Sequence, residues 1–138
     1  MSSEDTRSPN GEHVASLSME GEIRFGPPYF TLALDGKALA DRTFGSSPLW
    51  SSDSKYVFVQ EWLSWIESTG PQTVLICFDV QSWRESKIAQ IKGWVAPDSV
   101  SDGCLTYSQT QQTDQGRETH KHEIALSSIT DWQPIKAN

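Results

Sequence analysis

Hydrophobic and polar residues alternate along most of the chain, in short runs separated by segments rich in Ser, Gly, Pro, Gln and Asp. The alternation has a period of two residues, which is typical of β-strands with one buried face. It predicts strands over residues 14–19, 22–25, 29–34, 37–44, 56–60, 73–80, 87–95, 103–108 and 122–129. Many short strands at this spacing indicate an all-β domain built from antiparallel meanders.

The dipeptide Asp35-Gly36 separates two of these runs. A two-residue Asp-Gly loop favours the left-handed turn whose twist matches that of a β-hairpin. The turn predicts that Leu32 faces Leu39 across the two strands.

Residues 82–93 carry a conflicting signal. Ser82 and Glu85 have the spacing of a helix capping box, and Gly93 is a suitable residue to end a helix that begins there. Local rules therefore leave a helix and a strand open for this segment.

An internal repeat links the two halves of the chain. A shift of 49 residues superposes Asp53 on Asp102, Val80 on Ile129 and Trp83 on Trp132. A common offset at both ends is what two copies of one supersecondary unit would show. We assign the two units to residues 47–95 and 96–135.

The first unit resembles a β-propeller blade. Residues 47–55, Ser-Pro-Leu-Trp-Ser-Ser-Asp-Ser-Lys, are similar to the Ser-Pro-x-Trp-Ser-x-Asp-Gly-Lys segment of blades of the TolB and Trp-Asp-repeat kind, and residues 75–88 resemble the end of such a blade. The resemblance implies that residues 87–92 form a strand. Ser54 departs from the usual turn glycine, which Gly103 restores in the second copy. At roughly 40 residues or more per blade, the chain supplies about three blades at most, so we expect open antiparallel sheets, stacked or packed as a sandwich, and not a closed propeller.

Charge and composition indicate which kinds of partner the chain can bind. The 138 residues include 11 Lys and Arg against 18 Asp and Glu, a net charge of −7. Residues 1–12 are polar and predict a disordered arm, which leaves residues 13–138 as a single domain. An acidic chain disfavours nucleic acid and anionic membranes as partners and favours a basic protein. No apolar run reaches the roughly 18 residues of a membrane span, and the start does not resemble a secretory signal, so we expect a cytoplasmic protein.

Candidate chemistry is sparse. His120 and His122 share one side of a predicted strand, but no further ligands accompany them, and metal binding there stays open. Cys77 and Cys104 lack the spacing of a zinc or redox motif; free thiols are favoured over a disulfide. No nucleophile elbow or phosphate loop is present in the sequence. We therefore expect a protein that is not an enzyme and needs no cofactor.

The most distinctive segment is residues 61–71, predicted as a loop between two strands. The side chains of Trp62, Trp65 and Ile66 recur at helical spacing and are flanked by Glu61 and Glu67. An apolar anchor ringed by acidic charge is typical of a protein-binding hot spot for a basic partner. The alternative is that these side chains cover an open sheet edge and complete the core.

These observations predict a small acidic protein-binding module. A more specific hypothesis, drawn by analogy from size and charge, is that the chain is a bacterial immunity protein that neutralises a basic toxic effector. The alternative is a small-ligand or metal-binding enzyme with a pocket lined by tryptophans. A third hypothesis, a structural subunit that assembles through an exposed strand edge, depends on an oligomeric state that the sequence leaves open.

Overall fold

The computed structural model describes residues 3–22, 28–45, 47–66 and 70–137, and these form an all-β fold. Its thirteen strands are β1 (Ser3–Arg7), β2 (Val14–Glu22), β3 (Pro28–Leu34), β4 (Lys37–Ala38), β5 (Thr43–Phe44), β6 (Leu49–Trp50), β7 (Tyr56–Ile66), β8 (Gly70–Asp79), β9 (Arg84–Lys92), β10 (Trp94–Ser101), β11 (Cys104–Thr113), β12 (Gly116–Ala125) and β13 (Gln133–Pro134). A short 3-10 turn, Leu126–Ser128, is the one helical element in the described part of the chain. The predicted fold class is confirmed.

The strands form two antiparallel sheets. The large sheet has the order β1-β2-β3-β5-β7-β8-β9-β13, with β4 paired to β3 and β6 paired to β7. The small sheet has the order β10-β11-β12 and lies against the large one through β10, which contacts β7 and β8. Open sheets that pack on each other agree with the architecture predicted from the sequence.

Strand β8 is buried on both faces and separates two hydrophobic cores. Val74, Ile76 and Phe78 belong to a core shared with β2, β3, β5 and β7. Leu75 and Cys77 point the other way, into the core between the two sheets. This is why residues 73–80 are nearly continuously apolar instead of alternating.

The Asp35-Gly36 turn forms as predicted. Both residues have positive φ, 50° and 81°, as the left-handed hairpin turn requires. The backbone N–H of Leu39 donates to the carbonyl oxygen of Leu32 at 2.8 Å, which confirms that these two residues face each other.

The Asp53 carboxylate holds the turn that precedes β7. One Asp53 oxygen accepts hydrogen bonds from the Ser51 hydroxyl at 2.6 Å and from the Lys55 backbone N–H at 3.0 Å. These bonds, with the Ser51 bond contributing most, lower the pKa of Asp53 below its ordinary value. Ser54 adopts the positive φ of 65° that glycine usually supplies.

The helix alternative for residues 82–93 is wrong, and the strand implied by the blade resemblance is correct. Strand β9 pairs with β8 along its length. The predicted run 87–95 is divided at Gly93, whose φ of 141° turns the chain from the large sheet into β10 of the small one. A Cβ atom at this position would overlap the carbonyl oxygen of Thr110, so the corner requires glycine.

Other segments also differ from the sequence prediction. The predicted strand 122–129 ends at Ala125 and is followed by the 3-10 turn, and the predicted strand 22–25 lies outside the described residues apart from Glu22. The predicted strand 37–44 is interrupted at Asp41, which has a φ of 62°, and the interruption places Arg42 between β4 and β5. Residues 3–7, assigned from the sequence to a disordered arm, form β1 and pair with β2. The strand is held by its hydrogen bonds to β2 and by Trp50, whose Nε1 donates to the carbonyl oxygen of Thr6 at 3.0 Å.

Candidate functional site

The site is built around the guanidinium group of Arg42. It binds Glu61 of β7 through two hydrogen bonds, from Nε to Oε2 at 2.9 Å and from Nη2 to Oε1 at 2.8 Å. It binds Glu85 of β9 through two more, from Nη1 to Oε2 and from Nη2 to Oε1, both at 2.9 Å. Paired bonds of this kind are the strongest that arginine makes with carboxylates.

The same cluster fastens the carboxyl-terminal segment to the sheet. Arg42 Nη1 donates to the carbonyl oxygen of Lys136 at 3.1 Å, and the Lys136 backbone N–H donates to Glu85 Oε2 at 2.9 Å. Ile135, between these contacts and β13, is buried in the core of the large sheet. Four segments that are distant in sequence therefore meet at one guanidinium group.

The cluster is largely withdrawn from water. The exposed fractions of the Arg42, Glu61 and Glu85 side chains are 11%, 12% and 12%. Arg42 also lies over the rings of Phe44 and Phe78, with its central carbon 5.3 and 5.5 Å from the ring centroids. Burial opposes its charge, but the hydrogen bonds that Arg42 donates to both glutamates outweigh burial and raise the pKa of Arg42, so the group stays cationic.

An open groove of about 650 Å³ lies beside this cluster. Its walls come from residues 40–42, from β7, from β9 and from residues 131–136. Four carboxylates line it, those of Asp41, Glu61, Glu85 and Asp131. Three cations, Arg42, Lys87 and Lys136, also line it. Arg42 is already shared by two glutamates, and the groove has an excess of one negative charge.

Leu63 stands on the wall of the groove and is 42% exposed, the one large hydrophobic side chain that is exposed among the described residues. The pairing of β7 with β8 shifts register between Trp62 and Ser64, which leaves Leu63 unpaired in a β-bulge. Bulges re-aim side chains in this way and are frequent next to functional sites. An apolar side chain thus lies next to a group of carboxylates.

The structure separates the residues that the sequence grouped as a binding tip. Glu61 points into the ion cluster on one face of β7. Trp62 points to the other face, where its ring contacts Trp94 at 5.2 Å and Tyr29 at 5.7 Å between centroids, and its Nε1 donates to Gln60 Oε1 at 2.9 Å. Both side chains are thus engaged within the fold, on opposite faces of β7, and their role in binding a partner stays a prediction.

The remaining three predicted residues lie partly or wholly outside the described structure. The backbones of Trp65 and Ile66 belong to β7, opposite Pro71 and Gly70, but their side chains are outside the description, as is all of Glu67. The prediction of a loop with helical spacing over residues 61–71 is wrong, because β7 continues to residue 66 and β8 begins at residue 70. The backbone pairing with β8 continues through Trp62, Trp65 and Ile66, so these residues belong to β7 and not to a loop.

The other candidate residues do not converge. His122 stacks on Tyr107, with ring centroids 5.3 Å apart, and His120 Nε2 lies 3.8 Å from Glu118 Oε2. Across the described residues, no group of three or more His, Cys, Asp or Glu is placed to hold a metal ion. Cys77 is buried and Cys104 half-buried, and both are free thiols.

The tryptophans are spread over several places. Trp62 packs on Trp94, and the other three with described side chains have separate partners: His13 for Trp50, Lys37 for Trp83, and Tyr56 for Trp132. No tryptophan with a described side chain lines the groove.

The sequence did not point to Arg42, Glu85 or Leu63. Arg42 lay inside a predicted strand, and Glu85 was assigned to the capping box. One signal was available: Val57, Val59 and Glu61 alternate on a single face, so Glu61 continues a buried row and requires a cationic partner.

Comparison with known proteins gives no relative from which function can be transferred. No family model matches the chain, no curated protein matches it, and no solved structure matches its fold. The described residues also include no helix that is long and apolar enough to cross a membrane.

Proposed function

We propose that the protein is an acidic protein-binding module that docks a basic partner through the groove beside Arg42. The observation that carries the proposal is the pairing of exposed Leu63 with an excess of carboxylates on the same groove. An apolar contact supplies affinity when it is buried, and the surrounding charge selects the partner and speeds association.

The expected occupant is a lysine or arginine side chain with an apolar neighbour. Asp41 and Asp131 lie on exposed parts of the wall and are free of the Arg42 cluster, so they are the carboxylates available to a new cation. Glu61 and Glu85 are engaged by Arg42 and shape the floor. The net charge of −7 adds long-range attraction for a basic protein.

A more specific version of the proposal is that the protein neutralises a basic toxic effector, as bacterial immunity proteins do. Its small size and acidic charge support this version, and no sequence motif supports it. It predicts that a gene next to the one for this chain encodes a basic, toxin-sized domain that binds this protein.

The groove is tested with short peptides in which lysine or arginine is flanked by leucine, against peptides in which glutamine replaces each cation. Binding is followed through backbone amide shifts in nuclear magnetic resonance spectra. We expect the cationic peptide to perturb residues 40–42, 61–63 and 131–136, and to bind less tightly as salt is added.

Two variants identify the contacts. Asp41→Asn and Asp131→Asn each remove one charge, and asparagine tolerates the positive φ of 62° and 59° found at these positions. Each is expected to weaken binding about two- to fivefold. Asp114→Asn removes the same charge from a distant exposed turn and is expected to change nothing. Equal binding of the glutamine peptide, or equal loss in all three variants, would contradict the proposal.

A further inference from the structure

Strand β12 is an edge strand that is long and regular. It has ten residues, Gly116–Ala125, and pairs with β11 along its whole length without a bulge. Its outer edge pairs with no strand in the described part of the chain. All its residues are exposed except Gly116 and Ile124, which are half-buried. Such an edge presents a row of free backbone N–H and C=O groups to another strand.

Exposed edge strands often avoid pairing with another chain because they contain proline, contain a bulge or are very short, and β12 has none of these features. It does carry charges: Arg117, Glu118, Lys121 and Glu123. Charges prevent association when like charges meet and support it when opposite charges meet. The arrangement of the charges therefore decides what this edge can bind.

We infer that β12 pairs with β12 of a second copy of this chain, antiparallel about a twofold axis at His120. Along an antiparallel pair of strands, residues that hydrogen-bond to the partner strand alternate with residues that do not, and each kind lies opposite its own kind. Two identical strands meet this condition only if opposed residues differ by an even number of positions. The twofold axis must therefore pass through a residue and not between two residues. This leaves only a few registers to compare.

The register centred on His120 places no two like-charged Arg, Lys or Glu side chains opposite each other, and its axis sets His120 opposite His120 of the second copy. Arg117 lies opposite Glu123 of the second copy, and Glu118 lies opposite His122 of the second copy, each pair occurring twice by symmetry. Nine residues, 116–124, are paired. Opposite charges placed directly across two strands stabilise the pair.

The neighbouring registers are worse. An axis at Thr119 places Arg117 opposite Lys121, and an axis at Lys121 places two lysines opposite each other. An axis at Glu118 opposes two glutamates. An axis at His122 matches Lys121 with Glu123 but pairs only residues 119–125 of the strand. Charge and length together select the axis at His120.

The inference does not depend on the proposed groove, which lies on the large sheet. It is tested on the full chain by sedimentation equilibrium over a range of concentrations, with Arg117→Glu, Glu123→Arg and the double variant R117E/E123R. Lys92→Glu, an exposed position on β9, makes the same change of charge as R117E and serves as the matched control.

We expect a monomer–dimer equilibrium that each single variant weakens about tenfold or more, because two attractive pairs become repulsive. The double variant is expected to restore dimerisation, and K92E to leave it unchanged. Within one chain, residues 117 and 123 are about 20 Å apart along the strand, so restoration can arise only between copies.

Three results would overturn the inference: a monomer up to about millimolar concentration, a dimer that neither single variant weakens, or a double variant no better than the single ones. Thermal unfolding at a concentration where every variant is monomeric provides the folding control, and no change is expected because both side chains are exposed.

Discussion

Replacing Arg42 by alanine is the most informative perturbation of this fold. The change leaves Glu61 and Glu85 facing each other with side chains that are each 12% exposed. Their four hydrogen bonds to the guanidinium group are lost together with its contacts to Phe44 and Phe78. No other cation makes a described ion pair with either glutamate.

The expected cost follows from the burial of the cluster. Removing one partner of a buried ion pair destabilises a protein by about 3–5 kcal/mol, because a charge stays buried without compensation. Two carboxylates are left here, and the contact with the aromatic rings contributes about 0.5–1 kcal/mol more. Since the groups retain a little exposure, we expect a loss of about 4 kcal/mol. This is a large share of a total stability of about 5–15 kcal/mol.

The assay is urea unfolding followed by tryptophan fluorescence, with the free energy taken from the midpoint and the slope. Lys87→Ala removes an exposed cation from the same groove and is expected to change stability by less than about 0.5 kcal/mol. Amide hydrogen exchange adds a local readout: the backbone N–H groups of Gln133, Ile135 and Lys136 should exchange faster in R42A, because Arg42 holds the Lys136 carbonyl oxygen.

A triple variant separates charge from packing. Arg42→Met with Glu61→Leu and Glu85→Leu removes all three charges, and apolar replacements of buried ion clusters are often neutral or stabilising. We expect it to lie within about 1 kcal/mol of the wild type. The reasoning is refuted if R42A costs less than about 1 kcal/mol or if the triple variant is as unstable as R42A.

Three further predictions concern other parts of the molecule. The pKa of Asp53 is lower in the folded state than its ordinary value of 3.8, so ionised Asp53 stabilises the fold fully above that value, and this stabilisation is lost as the pH falls through the folded pKa. The free energy of unfolding of Asp53→Asn, from urea titrations at each pH, should therefore fall less steeply in acid than that of the wild type. Burial raises the pKa of the Cys77 thiol, so a thiol reagent should modify only Cys104 in the native protein and both cysteines in urea, as counted by mass spectrometry. Gly93→Ala should cost about 2 kcal/mol or more in thermal or urea unfolding, because its φ and the overlap with Thr110 both oppose a side chain; Gly116→Ala, in open space, is the control for φ alone.

The strands could be predicted from the sequence because their signal is local. Period two along the chain and the Asp35-Gly36 turn need no knowledge of distant partners, and both are confirmed. The lengths of the two long hairpins could not be predicted in this way. Residues 109–113 and 116–119 are polar, yet they lie in β11 and β12, because hydrogen bonds between the strands continue where burial does not.

The groove could not be predicted because it depends on distant segments. Arg42 is 19 residues from Glu61, 43 from Glu85 and 94 from Lys136. Its position results from the break at Asp41, where a non-glycine residue adopts positive φ within an alternating run. Nothing in the local pattern marks that break. The sequence analysis placed Glu61 at a binding tip, and nothing local indicated the cation that accompanies it in the fold.

The two proposed surfaces lie on different sheets, and together they have a consequence that neither has alone. A dimer through β12 carries two copies of the groove, so a surface that presents many cationic peptides can engage both at once. Arg117→Glu should then weaken binding to such a surface while leaving the affinity for one free peptide unchanged. Asp131→Asn should weaken both. This pattern would separate loss of the dimer from loss of the groove, because only the groove contacts the peptide.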